Sequence, residues 1–348
     1  MMKRLAAPLF AAAALAVLPA AAQDAPEIHY TAADIIQMPP DTYFGEVAGV
    51  ATDSRGHVFV FQRSGNPYAT MGGSRVFAHG GTQLLEFDSN GRFVREIGKG
   101  IYGFLVAEQV RVDPQDNIWA VDRYSGMVIK FAPDGSIAML LGRKPESIDV
   151  PPRPPRQMPG TRPGAGRPQD VFTGPTDVAW DRAGNIFVAD GYGGDARVAK
   201  FTPDGVFVTS WGAKGSDNDS FDSPRALAVD ARGNVYVADH GNRRIQVFDG
   251  SGKYERSITG IGDPAALCLS GGAHPYLYSS NSNPVDDIDT GGEIYKLELD
   301  GHVVGKFGRA GKRPGEFGTV NEIDCRQPGT LFVAEIGNYR VQRLTLQQ

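Results

Sequence analysis

The chain has 348 residues, a formal net charge of −5, 41% hydrophobic residues and 22% charged residues. An ordinary apolar share excludes a disordered chain, and two cysteines exclude a disulfide-built miniprotein. The acidic balance excludes a protein made to coat nucleic acid, and 44 glycines with 24 prolines point to tight turns between short buried strands.

At the amino end, Lys3 and Arg4 precede an apolar stretch from Leu5 to Leu18, and Ala20-Ala21-Ala22 offers small residues for cleavage. This is the build of a secretory signal peptide cut after Ala22, too short and too rich in alanine for a membrane span. The sequence therefore predicts residues 1–22 as a leader. The mature chain from residue 23 is expected in the periplasm or outside the cell, without membrane insertion.

Repeats organise the rest. The phrase reads DPQDNIWAVD from Asp113, DRAGNIFVAD from Asp181 and DARGNVYVAD from Asp230. Weaker copies are DSRGHVFVFQ from Asp53, SGGAHPYLYSS from Ser270 and RQPGTLFVAE from Arg326. A short apolar strand precedes each copy, and two more follow, separated by Asx-Gly turns of the hairpin kind. Six such units begin near Gly45, Phe104, Phe172, Phe221, Gly262 and Phe317. Four strands per unit at this spacing predict an all-β fold, a six-bladed propeller filling residues 23–348 as one domain. The sixth unit stops after its third strand, so EIHYTAADIIQM from Glu27 is expected to supply the fourth and close the ring.

Successive strands run antiparallel, so first-strand starts and second-strand ends share one face of the disc. The first set is Ala48, Glu108, Thr176, Arg225, Ala265 and Asn321; the second includes Arg63, Arg123, Tyr192, His240, Asn281 and Ile336. Insertions at 64–83, 143–170 and 281–292 fall on the same face, where binding usually sits. The 143–170 insertion is rich in Pro and Arg, a composition that builds no core of its own.

The units resemble NHL repeats. Their order is similar to that of the peptidyl-α-hydroxyglycine α-amidating lyases, through VAGVATDSRGHVFVFQR, FTGPTDVAWD, VADGYGGDARVAKFTPDGVFVTSWG and VADHGNRRIQVF. The resemblance implies a catalytic zinc held by three histidines, but the matching positions are Glu108, Arg225 and Asn321, so zinc is not expected. It also implies a catalytic tyrosine at Tyr192 and a carboxylate-holding arginine at Arg63. A structural calcium is implied on the carbonyls of Val50 and Val110 with Glu322.

The residues themselves add an anion-binding cluster of Arg63, Arg123 and Arg225, with Arg225 also placed to pair with Glu108. Arg63 is expected to be the better anchor. His240 lies beside this cluster, within a turn common to such repeats, as a further catalytic candidate; the other histidines show no ligand spacing. Asp286, Asp287 and Asp289 form an acidic turn that could hold calcium or simply be solvated. Cys268 and Cys325 lie on first strands of adjacent units and could bridge. The expected ligand is a small carboxylate or peptide, bound by a lyase-like enzyme using Tyr192, Arg63 and His240. A non-catalytic peptide- or protein-binding module, or a calcium-dependent lactonase-like hydrolase using Glu108 and Asn321, are the alternatives.

Overall fold

A computed structural model describes residues 25–64, 68–71, 75–78, 81–142, 171–192, 194–284, 287 and 289–347. The leader, the 143–170 insertion and Asp286 lie outside these residues.

Six antiparallel four-stranded sheets follow the six units. Their first strands are Glu46–Thr52, Ala107–Val112, Pro175–Trp180, Pro224–Val229, Leu267–Leu269 and Val320–Asp324. Neighbouring first strands contact one another around the ring. The second strands end at Arg63, Asp122, Asp190, Asp239, Asn281 and Glu335. Among the described residues the only helix is a 3-10 turn, His240–Asn242. Within the insertion after Arg63, Tyr68–Met71 and Arg75–Ala78 pair as an extra hairpin.

The repeat phrase has a physical reason at each end. Its leading aspartate caps the turn: Asp181 Oδ1 accepts the Ala183 and Asn185 amides, both at 2.9 Å, and Asn185 Nδ2 donates to Oδ2. Asp230 does the same with Arg232 and Asn234. The closing aspartate holds the loop that enters its blade's first strand, and the strand that follows it. Asp190 accepts the Thr173 and Gly174 amides and pairs with Arg197; Asp239 accepts Asp222 N–H and pairs with Arg244.

Phenylalanines at the starts of units wedge between blades. Phe221 and Phe317 are fully buried, and a Cβ on Gly212 or Gly308 would sit 2.4 or 2.3 Å from these rings. A glycine ending the preceding blade is what lets each ring in.

Closure follows the expectation. Tyr30–Ala33 pairs with Arg340–Leu346, Tyr30 opposite Leu346 and Ala33 opposite Arg343. The same segment reaches further: Ile28 N–H donates to Lys306 O (2.8 Å) in the fifth blade, and Gln37 N–H to Gly91 O (2.7 Å) in the first. A disulfide joins Cys268 to Cys325, with Cα atoms 5.9 Å apart, and ties the fifth blade to the sixth.

Candidate functional site

The mouth residues are placed by β-bulges. Register shifts fall between Val47 and Gly49, Ala107 and Gln109, Pro175 and Asp177, Pro224 and Leu227, and Val320 and Glu322. The extra residues are Ala48, Glu108, Thr176, Arg225 with Ala226, and Asn321. A bulge leaves its extra residue out of the ladder and re-aims its side chain. The first-strand residues singled out from the repeat frame are thus, in these five blades, the ones the sheet does not use.

Glu108 is the hub, only 2% exposed. Arg123 Nη1 and Arg225 Nη1 each lie 3.3 Å from its carboxylate, and Arg63 Nη1 lies at 3.6 Å. The Arg225–Glu108 pair expected from sequence is therefore present, within a larger cluster. Arg63 is the most committed of the three: it is buried, donates to Ala107 O at 2.8 Å and pairs with Glu46. Arg123 and Arg225 are more open and each directs a single hydrogen bond at Glu108. Arg123 and Arg225 are therefore less engaged by protein groups than Arg63, the arginine expected from sequence to be the better anchor. A guanidinium carries five donors, so most of theirs are not spent on the described residues.

Tyr192 stands between them. Its ring has Arg123 4.4 Å from the centroid and Arg225 at 4.3 Å, and the residue is 43% exposed. Gly191 brings it there: a Cβ on Gly191 would lie 2.3 Å from Pro224 O, so only glycine lets this turn pass so close to the next blade. The Tyr192 amide is fixed on Gly174 O at 3.1 Å.

His240 opens the 3-10 turn of the fourth blade. Burial first, and then the charge of Arg225, hold its imidazole below the usual histidine pKa. Its Nδ1 is buried with no hydrogen-bond partner among the described residues. Burial likewise pulls Arg225 below its ordinary value, aided by Arg123 and Arg63 and opposed by Glu108.

Neither metal suggested by the resemblance fits. At the zinc positions, Glu108 faces three cations, and Asn321 Nδ2 donates to Ala48 O (2.6 Å) and Glu108 O (2.8 Å). These commitments also remove the pair of residues that a calcium-dependent lactonase reading needs. At the calcium positions, Val50 and Val110 offer Glu322 their N–H groups, both at 3.0 Å, where a cation would require their carbonyls. Among the described residues no group of three or more His, Cys, Asp and Glu could hold a metal ion. Asp287 accepts the Asp289 amide and the Thr290 hydroxyl within its own exposed turn.

A family profile for the NHL repeat matches residues 221–248. The chain is 26% identical over 325 residues to a peptidylglycine alpha-amidating monooxygenase of Rattus norvegicus, covering 87% of this chain and 31% of that protein. The chain is a six-bladed propeller with one matched NHL repeat, and it is similar to proteins named for peptide amidation. It is 30% identical over 188 residues to a probable peptidyl-alpha-hydroxyglycine alpha-amidating lyase of Caenorhabditis elegans, covering 51% of this chain and 47% of that protein. The propeller thus spans about a third of the rat relative's length. A solved gluconolactonase from Xanthomonas campestris superposes with a TM-score of 0.56 at 17% identity, covering 95% of this chain and 99% of that one, a likeness of fold alone.

Proposed function

We propose that this propeller is an exported, lyase-like protein that binds a small carboxylate, or the carboxylate end of a peptide, at its mouth. The observation that carries the reading is the imbalance there: Arg63, Arg123 and Arg225 converge on the one buried carboxylate of Glu108. Guanidinium groups close together in a partly buried cleft favour an anion, and their planar donors match a carboxylate's two oxygens. Arg123 and Arg225 receive it. Tyr192, stacked between them, presents its hydroxyl beside the bound group, and His240 offers a neutral ring. These two side chains are the candidates for moving a proton at an atom next to that carboxylate. Export is supported by the charge and apolar pattern of residues 3–22, and by the Cys268–Cys325 bridge, which suits an oxidising compartment.

Calorimetric titration of an N-acylglycine and of its methyl ester into the protein tests this. The acid should bind and the ester should not; equal binding of both would refute an anion site.

A further inference from the structure

Below the mouth, on the channel axis, lies a second arginine–carboxylate cluster that the proposed activity does not use. Arg111 comes from the first strand of the second blade. Its Nε and Nη2 fork onto Asp177 of the third blade at 2.9 and 2.6 Å, and Nε lies 3.2 Å from Glu322 Oε1 of the sixth. The same guanidinium donates to Leu267 O in the fifth blade (3.1 Å) and Ile323 O in the sixth (3.4 Å). Its two carboxylate partners reach the remaining blades. Asp177 Oδ2 accepts Leu227 N–H of the fourth at 2.7 Å, and Glu322 Oε2 accepts Val50 N–H of the first.

Every blade's first strand is therefore joined, directly or through one carboxylate, to a single cation. Asp177 and Glu322 are fully buried. The seat for Glu322 is shaped for it: a Cβ on Gly49 would lie 2.6 Å from Oε2. Burial raises the Glu322 carboxyl while Arg111 opposes the rise, as a buried pair requires.

We infer that Arg111 is the ring's own axial cation, standing among oxygen donors that would otherwise suit a metal ion, and that the fold requires no metal there. Two carboxylates and two carbonyl oxygens directed at one point form a donor set of the kind calcium takes. Here the guanidinium already occupies it and spreads its charge over several fixed donors.

Thermal unfolding of the full chain in EDTA and in millimolar calcium tests the inference, with elemental analysis of the purified protein beside it. The wild type should melt at the same temperature in both and carry no stoichiometric metal. Arg111→Met should melt roughly 5–10 °C lower in EDTA, because it leaves two buried carboxylates unpaired. Calcium should restore part of that loss. Arg111→Lys, which keeps the charge without the fork, should fall between them and supplies the reading if Arg111→Met does not fold. A wild type that loses stability in EDTA, or an Arg111→Met that melts with the wild type, would overturn the inference.

Discussion

The mouth and the axis of this channel are built from the same parts in opposite proportions. At the mouth, three guanidiniums share the carboxylate of Glu108, with Glu46 engaging only Arg63 at the rim. At the axis, one guanidinium serves two carboxylates and two backbone carbonyls. Among the described residues, carboxylates outnumber the cation at the axis, while cations outnumber carboxylates at the mouth. The tyrosine and histidine follow the same division: Tyr192 is partly exposed and His240 Nδ1 has no partner among the described residues, both at the mouth. Stoichiometry of charge, rather than residue type, separates the fastening from the surface proposed to bind.

This contrast can be broken from either side. The largest effect is expected from deleting residues 23–37, which removes the fourth strand of the sixth blade and the bridges to Lys306 and Gly91. Without closure neither region keeps its geometry, so the melting transition should broaden and fall sharply; an unchanged transition would show that the axis alone holds the ring. Asp177→Asn comes next. It leaves Arg111 partly unpaired in the core and should cost about 3–5 kcal/mol in chemical denaturation, while carboxylate binding by the folded protein stays unchanged. Tyr192→Ala should do the reverse. Losing its two cation–π contacts should lower stability by only about 0.5–1 kcal/mol, yet weaken ligand binding because Arg123 and Arg225 lose their common support.

The smallest effect concerns pH. The His240 ring is held below 6.5 in the folded state, so the unfolded chain takes up this proton first as pH falls. Its contribution to stability is complete above pH 6.5 and is lost as the pH drops through the folded value. His240→Asn should flatten the stability profile in that window and leave it unchanged above pH 7.5.

Much of this was legible in the sequence. The repeat phrase fixed blade number and strand order, because each Asp-x-x-Gly-Asn turn closes on itself through local hydrogen bonds. The missing strand predicted closure by residues near Glu27. Positions at the mouth followed from antiparallel alternation, and Arg225 with Glu108 from the cost of burying a lone charge. The bulges were not legible: an extra residue is invisible to a two-residue alternation until its partner strand is known. The engagement of Arg63 with Ala107 O was not legible, because it depends on the neighbouring blade. Arg111 was missed because its partners lie 66 and 211 residues away, on other blades. A signal existed. Arg111 sits between Val110 and Val112 on an inner strand, a place where an unpaired charge has no reason to be. The bridge expected between Cys268 and Cys325 is present, with Cys268 on the short first strand of the fifth blade and Cys325 just after that of the sixth.

The central claim is that the mouth lacks negative charge that a ligand supplies. Calorimetric titration of one carboxylate into the wild type, Arg225→Ala and Glu108→Gln tests it most directly. Removing a cation should weaken binding by about 1.5–3 kcal/mol, the worth of a hydrogen bond to a charged group. Removing the internal competitor in Glu108→Gln should instead tighten it. Equal affinity in all three proteins, or weaker binding in Glu108→Gln with its fold intact, would contradict the account.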